Sequence, residues 1–284
     1  SNQKYLLNTE NQFEDKVVIV TGSTQGSGAE TAKLFAYRGA KGITICGRSE
    51  DQGNEIKKEI EAIGSECLYV KADLFEVDDC RNIVSLTDKT FGKVDCLVNV
   101  AGFTERGTIL STTIDNYDKN FNINTRAPFF LMQDSIKIMI REKIKGTIVN
   151  ILSMAMHSGM SFISAYSGSK AALATITKNV ANAVSGHHIR VNALNIGWTD
   201  TPGEDKIQKK FHEGGEDWLQ QAEAKAPFKR LTKPIDVARA VAFLCSDESG
   251  VVTGSIIDYD QSVLGWHSYS AYDTTILDDS LLGE

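Results

Sequence analysis

The four aliphatic residues Val17 to Val20 run without a break into Thr21-Gly22-Ser23-Thr24-Gln25-Gly26-Ser27-Gly28. No other junction in the chain restricts its fold as much. A strand that is apolar on both faces must be covered on both faces, the situation of a parallel sheet sandwiched between helices. The glycine-rich turn then has to redirect the chain sharply. Residues 28 to 38 place Ala29, Ala32, Leu34, Phe35 and Ala36 in a helical pattern ahead of Gly39, a helix stop. The same alternation continues along the sequence. Strand-length apolar runs recur at Ile43 to Cys46, Cys67 to Val70, Cys96 to Val98, Thr147 to Leu152, Ile189 to Leu194 and Ser255 to Asp258, with longer amphipathic stretches such as 50 to 63 between them. This pattern predicts an α/β fold with a doubly wound parallel sheet of about seven strands and helices on both faces.

With 284 residues and no linker, repeat or low-complexity segment, the chain is expected to form one domain over residues 13–265. Two regions break the rhythm. Residues 202–226 are too long and charged for an ordinary connection and are expected to be a substrate lid, in preference to a solvated helical insertion. Residues 266–284 form a polar tail with Trp266, Tyr269 and Tyr272, either disordered or packed on a neighbouring subunit. Thirty basic against 37 acidic residues leave a formal charge of −7. No basic run marks a nucleic-acid footprint, so the expected ligand is a small molecule. Cys46, Cys67, Cys80, Cys96 and Cys245 form no Cys-x-x-Cys pair and no zinc-spaced cluster with histidine, so neither a disulfide framework nor a metal site is expected. With nothing like a signal peptide and no apolar run of about twenty residues, the expectation is a cytoplasmic protein without membrane contact.

The glycine turn reads as a nucleotide site. Glycine permits the tight turn, the approach of a pyrophosphate to the backbone and close packing of the helix, whose N-terminus offers unpaired amides to phosphate. Gly22, Ser23, Gln25, Gly26, Ser27 and Gly28 are the candidate contacts. Their spacing differs from the general Gly-x-Gly-x-x-Gly fingerprint, and the lysine of a P-loop is missing. At the end of the second strand, Cys46-Gly47-Arg48-Ser49 puts a guanidinium where a free ribose 2'-hydroxyl calls for a carboxylate. That favours NADP(H) over NAD(H), with a solvated surface arginine as the alternative. Asp73 and Leu74 follow the third strand. Asp73 suits a helix cap as well as a bond from the adenine amino group.

Tyr166 and Lys170 stand four residues apart in a helical segment and so share one face. The ammonium is placed to lower the phenol's pKa from its ordinary ~10, yet a three-unit shift requires about 4 kcal/mol, more than one lysine supplies. An oxidised nicotinamide ring would add the second positive charge. The spacing alone is not specific, because Tyr37 and Lys41 repeat it with Gly39 between them.

Taken in order, these motifs strongly resemble the classical short-chain dehydrogenase/reductase family over about residues 13 to 265, which implies a single-domain Rossmann-type oxidoreductase using NAD(P). Thr21 to Gly28 matches the family's Thr-Gly-x-x-x-Gly-x-Gly loop, with Ser27 where isoleucine is usual. Asn99-Val100-Ala101-Gly102 stands for Asn-Asn-Ala-Gly with its second asparagine replaced, and carries over Asn99, Ala101 and Gly102 as cofactor residues. Asn195 to Thr201 resembles the Pro-Gly-x-x-x-Thr segment that holds the nicotinamide carboxamide. Ile196 replaces its proline, and Ile196, Gly197, Thr199 and Thr201 are the matching positions. Asn124, within Ile123 to Phe129, matches the catalytic asparagine of the fourth helix, and Ser153, thirteen residues before Tyr166, matches the catalytic serine. The resemblance implies that Lys170 binds the nicotinamide ribose, that Asn124 holds a water linking Lys170 to solvent, and that the protein is a homotetramer.

The expected reaction interconverts a secondary alcohol and a ketone by hydride transfer, with Tyr166 as general acid or base and Ser153 bonded to the substrate oxygen. Met154, Ala155, Met156, His157, Phe103, Glu105 and Trp198 are the candidate substrate wall. His157 and Glu105 suit a sugar, sugar acid or polyol, and Tyr259-Asp260-Gln261-Ser262 resembles sugar-directed members of the family. The methionines and Trp198 equally suit a cyclic or aliphatic ketone. A dinucleotide-binding regulator without turnover is the reading from another class, although a mere binder does not need the pairing of Tyr166 with Lys170.

Overall fold

The computed structural model describes residues 5–157, 159–212 and 215–264. Its strands are β1 (Val17–Val20), β2 (Gly42–Gly47), β3 (Glu66–Lys71), β4 (Cys96–Asn99), β5 (Thr147–Ser153), β6 (Arg190–Ile196) and β7 (Ile256–Tyr259), each within two residues of an expected run. They form one parallel sheet in the order β3-β2-β1-β4-β5-β6-β7. The helices are α1 (Gly26–Tyr37), α2 (Glu50–Ile63), α3 (Val77–Phe91), α4 (Ile114–Phe121), α5 (Ala127–Arg141), α6 (Ser164–Val184), α7 (Pro202–Phe211), α8 (Trp218–Lys225) and α9 (Pro234–Cys245).

Strand alternation sends neighbouring residues into two cores. Val18 and Val20 pack with Phe35 of α1, Ile60 of α2 and Val241 of α9, whereas Ile19 packs with Ile83 of α3, Leu131 of α5 and Leu173 of α6. All four β1 side chains are fully buried. Each contributes roughly 1.5–3 kcal/mol, which is why an unbroken aliphatic run is needed there. Strand order reverses between β1 and β4, so the turns leaving these two strands splay apart and open a crevice at their carboxyl ends. The two turns are tied at its base, where the Thr21 hydroxyl accepts from the amides of Val100 (3.1 Å) and Ala101 (3.2 Å).

Residues 202–226 hold two helices, α7 and α8, and Trp218, Ala222, Ala226 and Leu231 make a small core there. The backbone of this region is helical, a form open to a lid and to a solvated insertion alike. Tyr37 is the last residue of α1 and is 67% exposed, and Gly39 at φ +84° turns the chain out of the helix before Lys41. The matching spacing therefore never becomes a shared face. All five cysteines are buried and free, and burial pushes Cys46, Cys67 and Cys80 up to about 12. Among the described residues no helix is long and apolar enough to cross a membrane. The tail expected at 266–284 lies outside the described residues.

Candidate active site

The glycine turn is shaped for something to lie on it. Gly22 and Gly26 adopt φ +57° and +56°, and a Cβ on Gly28 would sit 2.1 Å from the Gly22 carbonyl oxygen. Gln25 occupies the N-cap position of α1 without a side-chain cap, leaving the first amides of the helix open. The Ser27 hydroxyl beside them is buried with no partner. Open amides, an orphaned hydroxyl and a turn closed to a side chain at Gly28 make room and donors for phosphate, so these residues fit the pyrophosphate of a dinucleotide. The Thr201 side chain faces Gly26, 3.6 Å from where a Cβ would be, and its oxygen accepts from the Glu204 amide (3.1 Å) to cap α7. The hydroxyl hydrogen remains available to donate.

Several other expected cofactor residues turn out to be committed within the fold. Ser23 donates to the Val20 carbonyl (2.5 Å) and accepts from the Cys46 amide (2.9 Å), joining β1 to β2. Asn99 donates to Asn150 (2.9 Å), because β4 and β5 hold the two residues in register on one face of the sheet. Ser49 caps α2 through the Gln52 amide (3.4 Å). Asp73 does not cap α3, whose N-cap position is Glu76. It closes a turn two residues ahead by accepting from the Phe75 amide (3.0 Å). Leu74 packs beneath it against the second core. Arg48 stands exposed at the end of β2 with no ion pair among the described residues. Ile196 ends β6 and packs against the first core, Thr199 donates to the Gly197 carbonyl (2.9 Å), and the Asp260 carboxylate covers Gly197.

Tyr166 lies in the first turn of α6 and Lys170 one turn deeper, so helical geometry alone brings them together, with the ammonium 5.9 Å from the ring centroid. Ser153, the last residue of β5, hydrogen-bonds the phenol, and its oxygen accepts from the Ala155 amide (3.1 Å). Asn124 sits in a π-helical turn, Asn122–Arg126, between α4 and α5. Its amide clamps both backbone groups of Phe103, accepting from the nitrogen (2.8 Å) and donating to the oxygen (2.9 Å), and donates to Ser169 of α6 (3.0 Å). A Cβ on Gly102 would approach Lys170 Nζ at 3.5 Å and Asn124 Oδ1 at 3.6 Å, so these groups converge on one point.

Burial governs the electrostatics of the protein without cofactor. Tyr166 titrates above its ordinary value, because loss of hydration outweighs the Ser153 hydrogen bond and the charge of Arg106. The Lys170 Nζ donates to the Ile151 carbonyl (2.9 Å), and burial lowers its own pKa from 10.5 to about 8. Between pH 8 and 10.5 the unfolded chain therefore binds more protons at this residue, and the stability it contributes rises with pH across that window. At pH 7 the buried charge costs on the order of 3 kcal/mol. Lys170→Met is expected to stabilise the cofactor-free protein by about 2 kcal/mol at pH 7, with the gain vanishing near pH ~10. Urea unfolding at both pH values checks this, and a destabilised variant at pH 7 would contradict the assigned cost.

The family model described as enoyl-(acyl carrier protein) reductase matches residues 22–263. The chain belongs to the short-chain dehydrogenase/reductase family. An uncharacterized oxidoreductase of Thermotoga maritima is 37% identical over 87% of this chain and 97% of the relative. The 3-oxoacyl-[acyl-carrier-protein] reductase of the same organism is 32% identical over 88% and 98%, and the tetrahydroxynaphthalene reductase of Pyricularia oryzae 31% over 87% and 89%. A solved short-chain type dehydrogenase/reductase from Mycobacterium marinum superposes with TM-score 0.80 at 25% identity, over 89% of this chain and 96% of that one. As a short-chain dehydrogenase/reductase the protein is an NAD(P)-linked enzyme acting on CH-OH or C=O.

Among the expected substrate residues of this family member, Trp198 is 45% exposed, stacks on Trp218 at 5.9 Å and donates to Glu204 (2.8 Å). Met154 and His157 lie in the short helical turn after Ser153. The His157 imidazole is bound to Asp258 of β7 (2.9 Å), and Glu105 pairs with Lys210 of α7. Arg106, Glu204 and His212 escaped the sequence reading. The charges of Arg106 and Glu204 act on Tyr166 in opposite senses. No local pattern marks them, because the loop after β4 and the helix after β6 meet only in three dimensions.

Proposed function

We propose that the protein interconverts a polar secondary alcohol, of the sugar, sugar acid or polyol class, with its ketone, using NADP(H) in preference to NAD(H). The observation that carries the proposal is the hydrogen-bonded Ser153 and Tyr166 pair with buried Lys170 one turn below, at the mouth of a turn fitted to a dinucleotide. When bound, the nicotinamide supplies the hydride chemistry and, if oxidised, a positive charge. Tyr166 holds the proton that moves to or from the substrate oxygen, and Ser153 steadies that oxygen where negative charge develops. Lys170 holds the cofactor ribose. Asn124 fixes the Phe103 loop over Lys170 and keeps a water path open to it. Polar side chains around Tyr166, among them Arg106 and Glu204, favour a hydroxylated substrate over a plain cyclic or aliphatic ketone. Helices α7 and α8 serve as the substrate lid.

The exposed guanidinium of Arg48 supports the NADP(H) preference. Exposed Ile114 and Tyr117 of α4 and Phe129 of α5 support a homotetramer. The test follows nicotinamide absorbance with NADPH and NADH against ketones and polyols, for the wild type and Arg48→Ala. Arg48→Ala is expected to lose about tenfold or more in kcat/KM for NADPH and little for NADH. An unchanged cofactor ratio would remove Arg48 from the 2'-phosphate site. Tight NADP binding with no turnover of any compound would favour a regulator.

A further inference from the structure

The loop between β4 and α4 approaches Tyr166 through the segment that precedes α6. The Gly107 amide donates to the Phe162 carbonyl (2.8 Å), and Gly107 and Ile163 form an isolated bridge three residues before Tyr166. Arg106 therefore stands at the entrance to the phenol. Its guanidinium lies 5.8 Å from the Phe162 ring centroid, and its charge is felt by the phenol. Nε donates to His212 Nε2 (3.2 Å) and Nη1 to the Thr104 carbonyl (3.3 Å). His212 serves as a neutral acceptor, held in that form by burial and then by the charge of Arg106, and it packs edge-on against Phe162. Both partners are neutral, and no carboxylate pairs with Arg106 among the described residues. A guanidinium has five N–H groups, so three remain for a ligand, arranged as a fork that suits two oxygens at once.

We propose that Arg106 binds a carboxylate of the substrate, which makes the substrate an oxo acid or hydroxy acid whose reacting carbon reaches Tyr166. The inference deepens the proposed function and rests on its placing of the reacting carbon at Tyr166. Other charges around the site fit a singly charged group. Glu105 is already neutralised by Lys210, while Glu204 uses one oxygen to accept from Trp198 (2.8 Å) and Gln208 (2.7 Å). No cation pairs with Glu204 among the described residues, and a carboxylate there repels a dianionic phosphate more than a carboxylate ligand. The free oxygen of Glu204 is left for a substrate hydroxyl.

Six-carbon acids test the inference, both oxohexanoates and polyhydroxy aldonates, each paired with its methyl ester or primary amide and with a phosphate ester of similar length. Isothermal titration of the NADP(H)-saturated wild type is expected to show at least one acid binding about tenfold to a hundredfold tighter than its neutral partner. That ratio should fall to within a few-fold of one in Arg106→Gln and to an intermediate value in Arg106→Lys, which keeps the charge and loses the fork. The ratio is insensitive to a general loss of folding, which weakens acid and ester alike. Equal binding of acid and neutral partner in the wild type, no binding of any acid, a phosphate ester that outcompetes every carboxylate, or a ratio unmoved by Arg106→Gln overturns the proposal. Nicotinamide absorbance on the same compounds separates the two readings. Neutral ketones reduced while carboxylates are ignored leave the oxidoreductase standing and sink the carboxylate site. Acids that bind through Arg106 yet are never turned over sink the oxidoreductase reading.

Discussion

Tyr166→Phe is expected to lower kcat by about a thousandfold while leaving NADP(H) affinity within a few-fold of wild type. Positioned general acid–base groups contribute roughly 10²–10⁴ in rate, and no neighbour can substitute for this one. Lys170 is turned to the Ile151 carbonyl, and the Ser153 oxygen already accepts from the Ala155 amide. Phenylalanine keeps the ring that packs beside Lys170, so the change is confined to the hydroxyl. Stability should move by no more than about 1 kcal/mol, since the lost bond to Ser153 is offset by relief of a desolvated phenol. Steady-state rates, cofactor titration and a thermal melt on one preparation decide the matter. Substantial turnover in the variant would refute the acid/base role. The raised pKa of Tyr166 also sets the direction of the pH profile. Ketone reduction, which needs the protonated phenol, should hold steady through neutral pH, and alcohol oxidation, which needs the phenolate, should climb with pH.

Gly28→Ala carries the second large effect. A Cβ there would lie 2.1 Å from the Gly22 oxygen, 2.7 Å from its carbonyl carbon and 3.0 Å from Ser23 Cα, all backbone atoms of the turn. Nothing flexible can yield, so the turn must open or α1 must withdraw from the sheet. The expected cost is about 3 kcal/mol of stability and over a hundredfold in cofactor affinity. Gly26→Ala is the control. Its φ of +56° is strained for alanine by about 1–2 kcal/mol, but its Cβ would meet Thr201 only at 3.6 Å. Denaturant unfolding and cofactor titration should rank Gly28→Ala well below Gly26→Ala. Equal losses would mean that backbone conformation, rather than close packing, sets the requirement for glycine in this turn.

Much of the fold was legible in the sequence because buried parallel strands must be apolar on both faces. Val17 to Val20 and Thr147 to Leu152 announce themselves for that reason. The glycine turn was legible because few residues can occupy it. Residues 202–226 were legible only as a charged, exposed insertion, because charge and length describe a solvated surface and say little about backbone form. Trp218, Ala222, Ala226 and Leu231 assemble their small core only once α7 and α8 have folded. Asp73 was ambiguous for a related reason, since an aspartate before a helix can close a turn as easily as cap the helix, and α3 starts three residues too late for the cap.

By itself the sequence determined the strands, the turn after β1 and the one-turn separation of Tyr166 from Lys170, because strand alternation, glycine sterics and helical periodicity act over a few neighbouring residues. The tertiary structure bore out the setting aside of Tyr37 and Lys41, whose helix ends before Gly39 at φ +84°. It also decided that Tyr166 is raised rather than lowered in the protein alone, and that Arg106, Glu204 and His212 gather at its entrance. Hydration and charge at a point depend on everything packed around it. Those neighbours come from segments far apart in the chain, so no local pattern encodes them.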